Sequence, residues 1–140
     1  MASQDEAEIR ALFDEAVRAR DVDRLVTHYA PGVVSFDVIE PLRYLGIGRL
    51  RERAQAWLAS FEGPLEYELR DLTVHAGDAV AFCHSLNRVG GTRKDGRAIE
   101  MWWRATVGLV KRDGQWVVAH AHSSVPFDPA SGRASLDLEP

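Results

Sequence analysis

One cysteine, Cys83, is all the chain carries, so no internal disulfide can form, and the sequence fits a reducing compartment. No apolar run approaches the length needed to cross a bilayer, and the first residues are acidic and polar rather than basic and then apolar. Neither a membrane anchor nor a secretory leader is expected. Lys and Arg nowhere form a dense block and the net charge is −4, which argues against nucleic acid or an anionic membrane as a partner. Internal repeats, low-complexity linkers and a second composition class are also missing. These absences point to a cytoplasmic protein with a single domain over residues 1–140. What is present suits that reading: 46% apolar and 27% charged residues can bury a core in a chain of 140.

Ser3-Gln4-Asp5-Glu6 has the form of a capping box, and Ile9, Leu12, Phe13, Ala16 and Val17 then recur at the helical period. Asp21 caps a short second helix with Val22, Leu25, Val26 and Tyr29, closed by Pro31-Gly32. A strand is predicted over 33–40, and a turn region with an exposed Tyr44 over 41–48. A third helix follows, with Leu50, Ala54, Trp57, Leu58 and Phe61 on one face and Gly63-Pro64 as its stop. The period then changes to two, predicting strands over 65–74 and 79–89 and a Gly-rich loop from Gly90 to Gly96. A long hairpin turns at Asp113-Gly114, the strongest short-range signal in the chain. From Pro126 onward a turn-rich tail is expected. Helices first and an antiparallel meander afterwards define an α+β fold, with N-terminal helices packed on one face of a curved, mainly antiparallel sheet.

Alternation along each strand sorts side chains into two faces. Met101, Trp103, Ala105, Val107 and Leu109 form an apolar set expected to face the helices, leaving Glu100, Trp102, Arg104, Thr106 and Gly108 outside. In 79–89 the set Val80, Phe82, His84 and Leu86 looks like the inner one. In the last strand the small residues Val117, Ala119, Ala121 and Ser123 suit a concave wall, opposite Trp116, Val118, His120 and His122. Trp102 on the outer face would be covered in a homodimer built sheet against sheet.

The order of elements, together with W-R-A-T at 103–106, D-G-Q-W at 113–116 and H-A-H-S-S-V-P at 120–126, resembles the nuclear-transport-factor-2-like superfamily of cone-shaped α+β proteins. Within it the chain is most similar to SnoaL-like proteins described as ketosteroid isomerase homologues. The resemblance spans Ile9 to about Phe127. It implies an apolar pocket for a small organic molecule, homodimerisation, no cofactor, and cofactor-independent isomerisation, dehydration or cyclisation next to a carbonyl. Aligned with ketosteroid isomerase, Asp37 falls on the general base, flanked by Phe36 and Val38, whose apolar bulk would half desolvate it. Phe13 stands where that enzyme has its catalytic Tyr, and Thr106 near its protonated Asp, so the donors do not carry over. Tyr29, Tyr44 or His84 could replace them.

The expected pocket wall is therefore Phe13, Tyr29, Tyr44, Trp57, Phe82, Trp103, Val107, Ala119, Ala121 and Ser123, with Asp37 and His84 as catalytic candidates. His120 and His122 point to one side but have no third ligand fixed by spacing, so no metal is expected; hydrogen bonds to Arg104, Glu100 or Ser124, or an oligomer interface, are the other readings. Arg104 is expected to find a carboxylate partner on the outer face; resemblance to the association domain of calmodulin-dependent kinase II implies a pocket for a small acidic ligand as the alternative. Cys83 and His84 lie on opposite faces and form no nucleophile–base pair. A non-catalytic ligand-binding or assembly module is the second functional class these residues allow.

Overall fold

The computed structural model describes residues 4–19 and 21–140; Ser3 of the expected capping box lies outside them. The elements run α1 (Gln4–Arg18), α2 (Val22–Val26), β1 (Tyr29–Phe36), β2 (Tyr44–Leu45), α3 (Ile47–Ala59), β3 (Phe61–Ala76), β4 (Val80–Arg93), β5 (Ala98–Arg112) and β6 (Gln115–Ser124). The strands form one sheet in the order β2-β1-β6-β5-β4-β3, antiparallel except for the β1–β6 pair. This is the expected α+β order with one addition, the two-residue β2.

Local chemistry explains most boundaries. Asp21 caps α2 by accepting from the Arg24 amide at 2.9 Å. The β5–β6 hairpin turns at Asp113 and Gly114 with φ of 51° and 77°, the positive pair a tight two-residue turn requires. Three breakers act differently from expectation. Pro31-Gly32 lies inside β1, where the pairing with β6 shifts register between Tyr29 and Val34. Gly63-Pro64 falls at a register shift within β3, so the chain passes from α3 to strand at Phe61 already. Gly90-Gly91 continues β4 rather than opening a loop. A side chain on Gly91 would come within 3.1 Å of both Phe61 and Leu65, so glycine leaves room for these two side chains.

α1 packs on β3 and α3 on β1, β2 and β3, while α2 packs on α3. Beneath α1 the space is filled: Ile9, Leu12, Val33, Ala81, Cys83, Leu109, Trp116 and Val118 form the packed core. Asp5 fixes the start of α1 to the hairpin, accepting from Lys111 Nζ at 2.8 Å and Trp116 Nε1 at 3.0 Å. Cys83 is a buried apolar group, 1% exposed. At the α3 end the packing is different. None of the α3 residues is fully buried, because its apolar stripe roofs a cavity instead of closing on the sheet. After Ser124 the chain makes a small closed turn, bridging Phe127 to Ala134. Among the described residues no helix is long and apolar enough to cross a membrane.

Candidate functional site

The cavity has a volume of about 360 Å³, within the range of small-molecule sites. Its roof is α1 and α3, through Phe13, Leu50, Ala54, Trp57 and Leu58; its floor is the inner set of β5, Met101, Trp103, Ala105 and Val107, with Ala121 and Ser123 of β6. Polar groups are few. Asp37, just beyond β1, is in phase with buried Val33 and Ser35 and so reaches the cavity wall. Its Oδ2 accepts from Arg53 Nε of α3 at 3.0 Å, and its Oδ1 from the Val38 amide at 2.6 Å. Both partners of the ion pair are 20% exposed, so the pair is neither free in water nor sealed.

Two phenols also line this space. Burial first, and then the negative charge of Asp37, push the Tyr29 phenol above its ordinary value, so it is a protonated donor at neutral pH. Tyr67 of β3 is raised too, mainly by burial, beyond what a hydrogen bond from Asn87 takes back. That bond, Asn87 Nδ2 to Tyr67 Oη at 2.8 Å, is the end of a chain that starts with Ser85 Oγ donating to Asn87 Oδ1 at 2.7 Å. The Tyr67 ring stands edge-on to Trp103, with centroids 5.6 Å apart.

Of the residues picked out from sequence, the structure brings Asp37, Phe13, Tyr29, Trp57, Trp103, Val107, Ala121 and Ser123 to this one cavity. Four others lie elsewhere. His84 and Phe82 sit on the outer face of β4, because the inward set is Ala81, Cys83, Ser85, Asn87 and Val89. That inner set is smaller and more polar than the outer one, which reversed the expectation. Phe82 is 51% exposed and stacks on His75 with centroids 4.7 Å apart. Tyr44 is buried, not exposed, and packs away from the cavity with its hydroxyl donating to the Glu40 carbonyl at 2.8 Å. Ala119 is the extra residue of a bulge: Gly108 pairs with His120 and Leu109 with Val118. The bulge swaps faces midway, so Trp116 and Val118 enter the core before it and Ala121 and Ser123 face the cavity after it.

Of the paired histidines, His122 reaches the cavity wall. His120 donates from Nδ1 to the Val34 carbonyl at 2.7 Å, and Phe36 lies edge-on to both His120 and His122. Among the described residues no three His, Cys, Asp or Glu side chains gather as metal ligands. Arg104 donates to Ser124 Oγ at 3.2 Å, a hydroxyl in place of the expected carboxylate. Trp102 is half-buried under the Arg70 guanidinium, 4.6 Å from its ring centroid. Sequence reasoning missed Arg53, Tyr67, Asn87 and Ser85. The alternation Leu65-Tyr67-Leu69 was a readable signal for Tyr67, and the i, i+3 spacing from Leu50 one for Arg53.

Helices roofing one end of a long antiparallel sheet, with a cavity between them, define the nuclear-transport-factor-2-like fold, and solved structures agree. A protein of unknown function from Pseudomonas putida KT2440, described as NTF2-like, superposes with a TM-score of 0.87 at 37% identity, covering 97% of this chain and 96% of its own. A superfamily protein from Salmonella enterica serovar Typhimurium LT2 gives 0.80 at 14% identity over 96% and 100%, and a ketosteroid isomerase-like protein from Erwinia carotovora atroseptica gives 0.73 at 20% over 87% and 96%. These last two likenesses are of fold. The SnoaL-like domain family matches residues 8–128, and the chain belongs to that family. No curated protein sequence matches the chain.

Proposed function

We propose that this SnoaL-like protein binds a small, largely apolar organic molecule carrying a carbonyl in the cavity beneath α3, and acts on the carbon next to that carbonyl without a cofactor. The observation that carries the reading is the composition of the wall: an apolar cavity in which one carboxylate, Asp37, faces inward beside buried phenols. In such a site Asp37 takes a proton from the α-carbon and can return it to another carbon, while a phenol donates to the oxygen on which negative charge develops. Isomerisation, dehydration and cyclisation all begin with that enolisation. The outer face of the sheet, with exposed Val80 and Phe82, is the surface we assign to a homodimer.

A second reading, a binding protein without turnover, is favoured by one specific contact set. Both Asp37 oxygens are already engaged, one by Arg53 and one by Val38, so a substrate must share or displace a partner before proton transfer. Hydrogen–deuterium exchange separates the two. With a panel of cyclic and aryl ketones in D2O, the catalytic reading expects protein-dependent exchange at the α-carbon that is lost in Asp37→Asn. Ketones that bind without any accelerated exchange would establish the binding-only reading.

A further inference from the structure

The chain of hydrogen bonds behind the cavity runs in one direction. Ser85 Oγ donates to Asn87 Oδ1, and Asn87 Nδ2 donates to Tyr67 Oη. Ser85 and Asn87 are 7% and 8% exposed, so little water competes for these groups. A phenol has one proton to give and lone pairs to receive with. Tyr67 has received from Asn87, and its own proton has no protein acceptor among the described residues, while its ring lines the cavity. The edge-on contact with Trp103 holds that ring in place. Burial keeps the phenol protonated well past neutrality. Among the described residues Tyr29 has no such relay, and it sits under the charge of Asp37, which makes it the lesser donor.

We infer that Tyr67, oriented by Asn87 and Ser85, is the ligand's hydrogen-bond donor, and that the cavity selects molecules presenting an acceptor oxygen at that point, carbonyl compounds above hydrocarbons of equal shape. The inference rests on the cavity being a ligand site, and adds the chemical group recognised and the residue that recognises it. Tyr67 is a binding residue in this arrangement; Asn87 and Ser85 are positioning residues that act through it. Because Asn87 already polarises the phenol, the bond to the ligand is stronger than one from an isolated tyrosine.

The experiment uses two probes of matched size, 2-acetylnaphthalene and 2-isopropylnaphthalene, titrated into the full chain. The wild type is expected to bind the ketone about three- to tenfold more tightly, the value of one neutral hydrogen bond. The infrared carbonyl stretch of the bound ketone should move to lower frequency than in hydrocarbon solvent. Tyr67→Phe should erase both the preference and the shift while leaving hydrocarbon affinity unchanged, and Tyr29→Phe should keep them. Asn87→Leu should reduce the shift without abolishing ketone binding. Equal affinities with an unshifted stretch in the wild type would overturn the donor assignment and leave the cavity reading standing. So would a preference that vanishes in Tyr29→Phe and survives in Tyr67→Phe. Failure of both probes to bind would overturn the cavity reading and this inference with it.

Discussion

Ala81 and Ala105 point inward from neighbouring strands, paired across the β4–β5 ladder with Leu109 and Ser85 respectively, but they meet different surroundings. Ala81 is 2% exposed within the packed core, whereas Ala105 lies on the cavity floor. The substitution Ala→Leu should therefore act in opposite senses at the two sites. At Ala81 the added carbons have no free volume, and overpacking of a filled interior costs about 1–3 kcal/mol. At Ala105 they enter open space; three methylene-sized groups at about 0.8 kcal/mol each set a ceiling of about 2.4 kcal/mol of stabilisation. The cavity is partly open, so about 0–2 kcal/mol is the expected gain. Urea unfolding with unchanged m-values is the assay, since a common slope confirms that stability alone has moved. Ala105→Leu should also displace any cavity ligand. Equal destabilisation of the two variants would refute the claim that α3 roofs a cavity rather than a packed layer.

Three further outcomes follow from other parts of the molecule. The Asp5 carboxyl is held below its ordinary value by hydrogen bonds from Lys111 first and Trp116 next, so it contributes stability above its unfolded pKa that is lost as pH falls through its folded one. Asp5→Asn should thus be less stable than wild type at neutral pH, with the gap closing in acid by thermal unfolding; a gap that is constant with pH would sink the assignment. Burial pushes the Cys83 thiol up to about 11, so native protein should resist iodoacetamide at about pH 8 and react only when unfolded. Rapid labelling of the native protein would show that site open to solvent. If the outer face of β4 joins two copies, Phe82→Glu should yield monomers by native mass spectrometry, and an unchanged mass would remove that surface from the account.

The hairpin and the inner set of β5 were legible because each rests on a strong local rule: two consecutive residues that tolerate positive φ, and strict alternation over five apolar positions. The helical stripes of α1 and α3 were legible for the same reason, although periodicity could not say whether Trp57 and Leu58 would meet a core or a cavity. What stayed hidden depends on pairing between strands. The bulge at Ala119 exists only in the register with β5, so alternation along β6 alone put Ala119 on the wrong wall. The faces of β4 were inverted because hydrophobicity pointed to Phe82 and His84, while the cavity side holds the polar relay of Ser85 and Asn87. Gly90-Gly91 read as a loop because glycine marks turns more often than room left for neighbouring side chains within a strand. Asp37 was found through family likeness. Its engagement by Arg53, sixteen positions away on another element, has no signature in sequence.

The cavity as a ligand site is tested most directly by nuclear Overhauser contacts between bound 2-acetylnaphthalene and methyl-labelled protein. Contacts are expected to the methyls of Ala105, Val107 and Leu58 around the cavity, with the acetyl end nearest the Tyr67 ring. Contacts to Val80 or Leu86 on the outer face, or none at all, would contradict it.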